Sequence, residues 1–369
     1  MKIAFVSYTY QPLFETPEKW VQKIHRMASV MECLAKKATV TYIRNLNYSG
    51  EYVYNGVTYL YPLAITRKSY FPLGLNSRIK ELQPDVVMVI GLRSPIQIIL
   101  LRRILGKKTI ILARNQAEPP PVGIRKILQR MADWSIDSYH FTSIGNAEEW
   151  LDAGIISDRS RILEITDAST NFVRLNKEQC RLQLGIGSVM NYIWAGRLEK
   201  NKDPLTVING FAKYLTQYPE AKLHMIFQED DLLPVIKKRL AESEVLRKAV
   251  LLHGYIPYEQ LPVWYSAADF FISGSHREGG SYALLEAMSC GCIPIVTAIP
   301  PAIKVTGEGK YGFYYEAGNA EQLFEKLSET RHIDIEAFSK KLEQYFIREL
   351  SPSAIARQFY ETCASMLAK

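Results

Sequence analysis

Two turns in the second half of the chain combine residue types suited to holding a diphosphate and a group rich in hydroxyls. The first reads Trp194-Ala195-Gly196-Arg197-Leu198-Glu199-Lys200-Asn201-Lys202-Asp203. A glycine directly after a buried apolar run lets the backbone approach a ligand. Arg197 and Lys202 precede a helix start, whose amides and dipole reinforce the two cations. The second turn reads Arg277-Glu278-Gly279-Gly280-Ser281-Tyr282-Ala283-Leu284-Leu285-Glu286-Ala287-Met288. Glu278 follows an apolar run and Glu286 falls in the second turn of the next helix, so both can face the crevice at the carboxyl end of a parallel sheet. Carboxylates accept hydrogen bonds from sugar and ribose hydroxyls, and the amides of Gly279, Gly280 and Ser281 suit an anion. Spacing alone selects nothing, because Glu308/Glu316 and Glu321/Glu329 repeat it. The latter pairs read as solvated faces.

Other candidates carry less. The six histidines are dispersed and form no metal pair. Glu229-Asp230-Asp231 reads as a helix N-cap rather than a metal-diphosphate motif. Cys290-Gly291-Cys292 lacks a second ligand pair, and five scattered cysteines give no disulfide framework. No metal and no cofactor is expected.

The elements that must position the two turns alternate along the chain. Ile3–Val6, Thr39–Ile43, Val86–Ile90, Thr109–Ala113 and Tyr139–Thr142 read as strands of a first half. Asn191–Ala195, Leu223–Phe227, Val250–His253, Phe270–Ser273 and Ile293–Val296 read as strands of a second. Near-continuous apolar character predicts strands buried on both faces by helices. Thr16-Pro17 predicts a helix start with Trp20, Ile24, Met27 and Met31 on one face, and Asp203-Pro204 predicts another. Ser281 begins a helix that Gly291 ends.

At 369 residues the chain is long enough for two domains. The boundary is expected in the polar stretch Thr166–Gly187, giving residues 1–175 with 352–369 and residues 176–351. No run approaches a membrane span or a signal peptide, which points to the cytoplasm. Residues 1–185 hold 25 Lys and Arg against 16 Asp and Glu, whereas residues 186–369 hold 20 against 22. The basic half calls for an anionic partner, an acidic acceptor or membrane phosphates at the inner face of the plasma membrane, and no nucleic-acid motif accompanies it. The segments Ser94–Lys108 and Ile124–Arg130 mix apolar residues with Arg102, Arg103, Lys107, Lys108, Arg125, Lys126 and Arg130. Their apolar residues are expected to pack on the sheet, leaving the cations for salt-sensitive membrane contact without insertion.

Gly196-Arg197-Leu198 with Lys202, Asn209-Gly210-Phe211, His253-Gly254-Tyr255-Ile256, Glu278 to Met288 with Cys290 to Pro294, and Gly312 to Gly318 follow one another in order. In this ordered set, over roughly residues 190–330, the chain resembles glycosyltransferase family 4, retaining enzymes of the GT-B fold. The resemblance implies an α/β chain with two Rossmann-like domains facing an interdomain cleft, its terminal helix, Ser351–Leu367, crossing back to the first domain. It implies transfer of a hexose-type sugar from a nucleoside-diphosphate sugar to a glycan or lipid-linked acceptor in cell-envelope or exopolysaccharide biosynthesis. Arg197 and Lys202 would hold the donor diphosphate, Glu286 the ribose, and Glu278 the sugar hydroxyls. Gly196 and Gly279 to Tyr282 would lie against the donor, and Tyr255 and Ile256 would border the base. The family's usual glycine pair after the first strand is replaced by Tyr10-Gln11-Pro12. Its usual histidine is replaced by Arg114-Asn115-Gln116. Tyr10, Arg114 and Asn115 are therefore the acceptor-side candidates, Arg114 as an electrostatic contact. The rival readings are a sugar-nucleotide epimerase on the same fold and a non-catalytic GT-B partner subunit.

Overall fold

The structure, a computed structural model, describes residues 1–62 and 73–368. They form two compact units, residues 1–169 with 352–369 and residues 170–351. The division falls slightly before the expected 175/176 boundary.

The first unit holds strands β1 (Lys2–Gln11), β2 (Thr39–Leu46), β3 (Gly50–Tyr54), β4 (Val57–Tyr61), β5 (Val86–Ile90), β6 (Ile110–Arg114), β7 (Ser138–Phe141) and β8 (Ile162–Glu164). They form one sheet in the order β3-β4-β2-β1-β5-β6-β7-β8, parallel except for β3. The second unit holds β9 (Asn191–Ala195), β10 (Lys222–Ile226), β11 (Val250–Gly254), β12 (Phe270–Ser273), β13 (Ile293–Thr297) and β14 (Phe313–Tyr315). These are all parallel, in the order β11-β10-β9-β12-β13-β14. The central strands of each sheet are buried on both faces. Tyr192 and Trp194 of β9 enter one core of the second unit and Ile193 enters the other, as the period of two along a strand requires.

Local sequence explains the elements that position the site. Asp203 caps the helix Pro204–Tyr214 by accepting from the Thr206 amide at 3.1 Å, with proline in the first turn. The helix Tyr282–Ser289 stops before Gly291, which takes φ +73°. The terminal helix Pro352–Leu367 packs with the first unit, burying Ile355, Phe359 and Cys363 in its core.

Three expectations need correction. The periodic stretch after Thr16 is two helices, Pro17–Lys23 and His25–Ala35. The His25 ring bonds the Gln22 carbonyl at 2.8 Å, the acceptor that the amide of Arg26 would take in a continuous helix. The run Glu229-Asp230-Asp231 does not cap the next helix, whose N-cap is Leu232 with no side-chain bond. In the helix Pro95–Leu105, Ile98 and Leu101 are buried as expected, but Arg102 is drawn inward onto Asp137 and the carbonyls of Ser135, Gly106 and Thr109. The helix Ile124–Asp133 departs most. Ile124, Ile127, Met131 and the following Trp134 face outward, Trp134 at 92% exposure, beside exposed Arg125 and Arg130. Its Gln129, Ala132 and Asp133 are the buried side instead.

Candidate functional site

β9 and β12 are neighbours at the centre of the second sheet, so the turns leaving their carboxyl ends lie side by side. Backbone and side-chain bonds join them. The His276 amide donates to the Asn201 carbonyl at 2.8 Å, and Asn201 Nδ2 donates to the Arg277 carbonyl at 3.0 Å. His276 Nε2 meets the capping Asp203 at 3.0 Å. Gly274 makes this approach possible, since a Cβ there would stand 2.9 Å from the Asp203 carbonyl oxygen and 3.2 Å from that of Lys202.

The result is an ion pair between Lys202 Nζ and Glu278 Oε1, both side chains only partly exposed. The pair borders a small hollow, with Trp194, Ser281, Tyr282 and Thr297 in its wall. Thr297 Oγ1 donates to the Ser275 carbonyl at 2.6 Å, fixing the wall. Gly196 lies against the Trp194 ring, where a Cβ would come within 3.2 Å. Ser281 turns the chain at φ +45° into the helix Tyr282–Ser289, leaving its hydroxyl unused as a cap. Gly279 is half-buried, Gly280 buried and Tyr282 exposed.

Not every predicted residue reaches the hollow. Arg197 is half exposed and paired with Glu199 at 2.8 Å and Glu229 at 3.7 Å, outside the lining. Glu286 is 2% exposed and lies inward, accepting from the Tyr265 hydroxyl at 3.4 Å. Tyr255 is exposed and Ile256 half-buried on the turn after β11, two strands from β9. Burial pushes the Cys290 thiol up to about 12 and that of Cys292 well above its ordinary value, so both are inert apolar fillers.

The acceptor-side candidates of the first unit part company. Tyr10 is half-buried near the end of β1. Arg114 is a buried structural cation, ion-paired with Asp167 and bonded to Met27 Sδ at 3.1 Å, and so does not serve as an open electrostatic contact. Asn115 is buried too, donating to the Glu118 carbonyl at 3.1 Å and accepting from the Ala117 amide at 2.8 Å. It shapes its own loop.

Sequence reasoning passed over Trp194, Ser275, Thr297 and Asn201. Trp194 and Asn201 stood inside the quoted turn. Thr297, the last residue of β13, reaches the site only through sheet order and had no local signal.

The model of the family described as glycosyl transferases group 1 matches residues 190–347, a stretch that contains both turns and the whole hollow. That stretch belongs to the group 1 glycosyl transferases. The chain is similar to mannosylfructose-phosphate synthase of Agrobacterium fabrum, 29% identical over 174 residues, 45% of this chain and 36% of that one. It is also similar to the GDP-mannose:cellobiosyl-diphosphopolyprenol alpha-mannosyltransferase of Xanthomonas campestris, 30% identical over 120 residues and 32% of each chain. The chain thus spans about a third of the length of these relatives. Anabaena HepE in complex with UDP superposes over 99% of this chain and 100% of that one, with a TM-score of 0.72 at 14% identity. That likeness shows the fold, the GT-B arrangement of two Rossmann-like domains. The group 1 stretch holds Lys202, Glu278 and Glu286, whereas Tyr10, Arg114 and Asn115 lie outside it.

Proposed function

We propose that the chain is a retaining, metal-independent glycosyltransferase that moves a hexose-type sugar from a nucleoside-diphosphate sugar to a glycan or lipid-linked acceptor in envelope or exopolysaccharide biosynthesis. The observation that carries this reading is the Lys202–Glu278 pair over the hollow at the carboxyl ends of β9 and β12, inside the group 1 stretch. Lys202 takes the donor diphosphate, Glu278 turns to the sugar hydroxyls, and the amides of Gly279 to Tyr282 approach the sugar and phosphate. Arg197 swings from Glu199 and Glu229 onto the diphosphate. Glu286 and the Tyr255–Ile256 turn serve the nucleoside.

The chemistry separates a nucleoside diphosphate from an anomeric carbon, and negative charge grows on the phosphates as that bond breaks. Preorganised cations and amides stabilise this change most directly, without a divalent ion. The acceptor hydroxyl attacks the face from which the diphosphate leaves, and the anomeric configuration is kept. Relatives named for a diphosphopolyprenol substrate and for mannosylfructose phosphate support an acceptor that itself bears phosphate.

A cytoplasmic enzyme at the inner face of the plasma membrane fits the basic first half. No helix among the described residues is long and apolar enough to cross a membrane. The outward stripe Ile124, Ile127, Met131 and Trp134 with Arg125 and Arg130 has the make-up of an interfacial helix.

A donor screen with product analysis tests the proposal. Transfer is expected to continue in excess EDTA, and NMR is expected to show the donor's anomeric configuration in the product. Activity lost in EDTA and restored by manganese, or an inverted product, counts against it. Turnover of the sugar nucleotide with no acceptor would favour an epimerase.

A further inference from the structure

Three arginines of the described chain are buried, and two of them have acidic partners. Arg114 pairs with Asp167, and Arg181 pairs with Asp269 at 2.8 Å while donating to the Ala267 carbonyl at 3.0 Å. Arg44 is the exception. It stands near the carboxyl end of β2, in register with Ser7 of β1, at 8% exposure. Among the described residues no carboxylate comes within 4.0 Å of its guanidinium. Its contacts are the Tyr42 hydroxyl at 3.5 Å, the outer limit of a hydrogen bond, and the Trp20 ring 4.5 Å away. Arg44 Nε is buried without a partner. So are Trp20 Nε1 and the hydroxyls of Tyr59 and Tyr61, which share a core cluster with Tyr42.

A guanidinium taken from water without a counter-ion is strongly disfavoured, and a ring face offsets only part of that cost. Residues 63–72 contain no Asp or Glu that could supply the charge. The place is also informative. Carboxyl ends of parallel strands are where open α/β sheets bind ligands. Here the loop after β1 crosses the end of β2, with the Asn47 amide bonded to the Phe14 carbonyl at 3.1 Å and Phe14 packed edge-on against Trp20 at 4.9 Å.

We propose that Arg44, beneath Trp20, is an anion-binding residue that receives a phosphate group of the acceptor. Assigning that phosphate to the acceptor rests on the transferase reading above, whereas the anion site itself does not. A planar guanidinium with several donors matches phosphate oxygens in two-point contact. The same chemistry is offered by a diphosphate on a lipid carrier and by a soluble sugar phosphate.

The test is calorimetric titration of full-length Lys202→Gln protein, in which the second unit's diphosphate site is disabled, with inorganic phosphate at constant ionic strength. Phosphate is expected to bind, with affinity at least tenfold lower when Arg44→Gln is added and partly retained with Arg44→Lys. Phosphate is also expected to change the tryptophan emission of the Lys202→Gln protein and to leave that of Lys202→Gln with Trp20→Phe unchanged, a readout that survives if Arg44→Gln fails to fold. No binding by the Lys202→Gln protein, or equal binding with and without Arg44, overturns the site. Farnesyl diphosphate and glucose 6-phosphate then assign the source by which binds more tightly, and failure of both while phosphate binds overturns the acceptor role alone.

Discussion

Lys202 meets a carboxylate while bordering a hollow, so a diphosphate that displaces Glu278 gains a cation already held in place by the turn around it. A charge-assisted contact of this kind is worth about 1.5–3 kcal/mol. Lys202→Ala is therefore expected to weaken nucleoside-diphosphate binding at least tenfold while the bare nucleoside binds as before. Arg197→Ala should cost less, because Arg197 starts outside the lining and half exposed. Calorimetry with both ligands checks this, and an equal loss for nucleoside and nucleotide would remove Lys202 from the phosphate site. His140 offers a second prediction at this scale. It is buried beside Arg114 and Asp167 and bonded to the Ile165 carbonyl at 2.6 Å, and burial first, then Arg114, lowers its pKa from 6.5 to about 4. The unfolded chain takes up this proton below pH 6.5 and the folded chain does not. Its stabilising contribution is thus whole above pH 6.5, falls as the pH drops toward 4, and amounts to about 3 kcal/mol over that window. His140→Phe should flatten the fall of the urea midpoint between pH 6.5 and 4, and parallel curves for variant and wild type would refute the assignment.

Elements meet at glycines where no side chain fits. The helices Pro204–Tyr214 and Ala320–Glu329 touch at Gly210, where a Cβ would lie 2.8 Å from Leu323 Cδ2 and 2.9 Å from the Ala320 carbonyl oxygen. Gly210→Ala should cost about 1–3 kcal/mol of stability by urea unfolding. Gly187→Ala, with open space around it, should stay within about 0.5 kcal/mol. Similar losses at both positions would mean that helix contact is not the cause. At Gly274 the same change pushes apart the two turns that hold Lys202 and Glu278, so there nucleotide binding should fall together with stability. The sequence was most legible where strands are apolar on both faces. Val86–Ile90, Asn191–Ala195 and Phe270–Ser273 appear with the bounds that their composition predicts. The β3–β4 hairpin was overlooked although Asn55-Gly56 marks it. Both residues take positive φ, as the mirror-image turn of a tight hairpin requires. β8 and β14, three residues each, are too short to show a period. In the site, the turns around Lys202 and Glu278 were readable from glycine and charge at strand ends. The fate of Arg114 was not, because Asp167 lies 53 residues away and meets it only in the folded sheet.

For the whole molecule, the charge imbalance between the halves takes on a direction once side chains are placed. Composition suggested that cations around Arg102 would face a membrane while all nearby apolar residues packed inward. Arg102 instead holds Asp137 and three carbonyls, and the apolar stripe of the helix Ile124–Asp133 is what lies open. Solvated helices seldom show water a row of Ile, Ile, Met and Trp, whereas a helix resting in a headgroup layer has that row beneath flanking cations. Each such cation near an anionic leaflet contributes about 1 kcal/mol, and the contribution is screened by salt. Binding should therefore have two separable components. Full-length protein is expected to float with liposomes containing anionic lipid at low salt and to be partly released at high salt. Changing Ile127, Met131 and Trp134 together to Ser should abolish flotation at either salt, with folding unchanged because these side chains are exposed. Arg125→Gln with Arg130→Gln should remove most of the salt dependence and leave weak residual binding. Arg102→Gln should lower stability without a specific effect on flotation. Wild-type protein that stays at the bottom of the gradient would sink the membrane assignment, and the stripe would then belong to a protein partner.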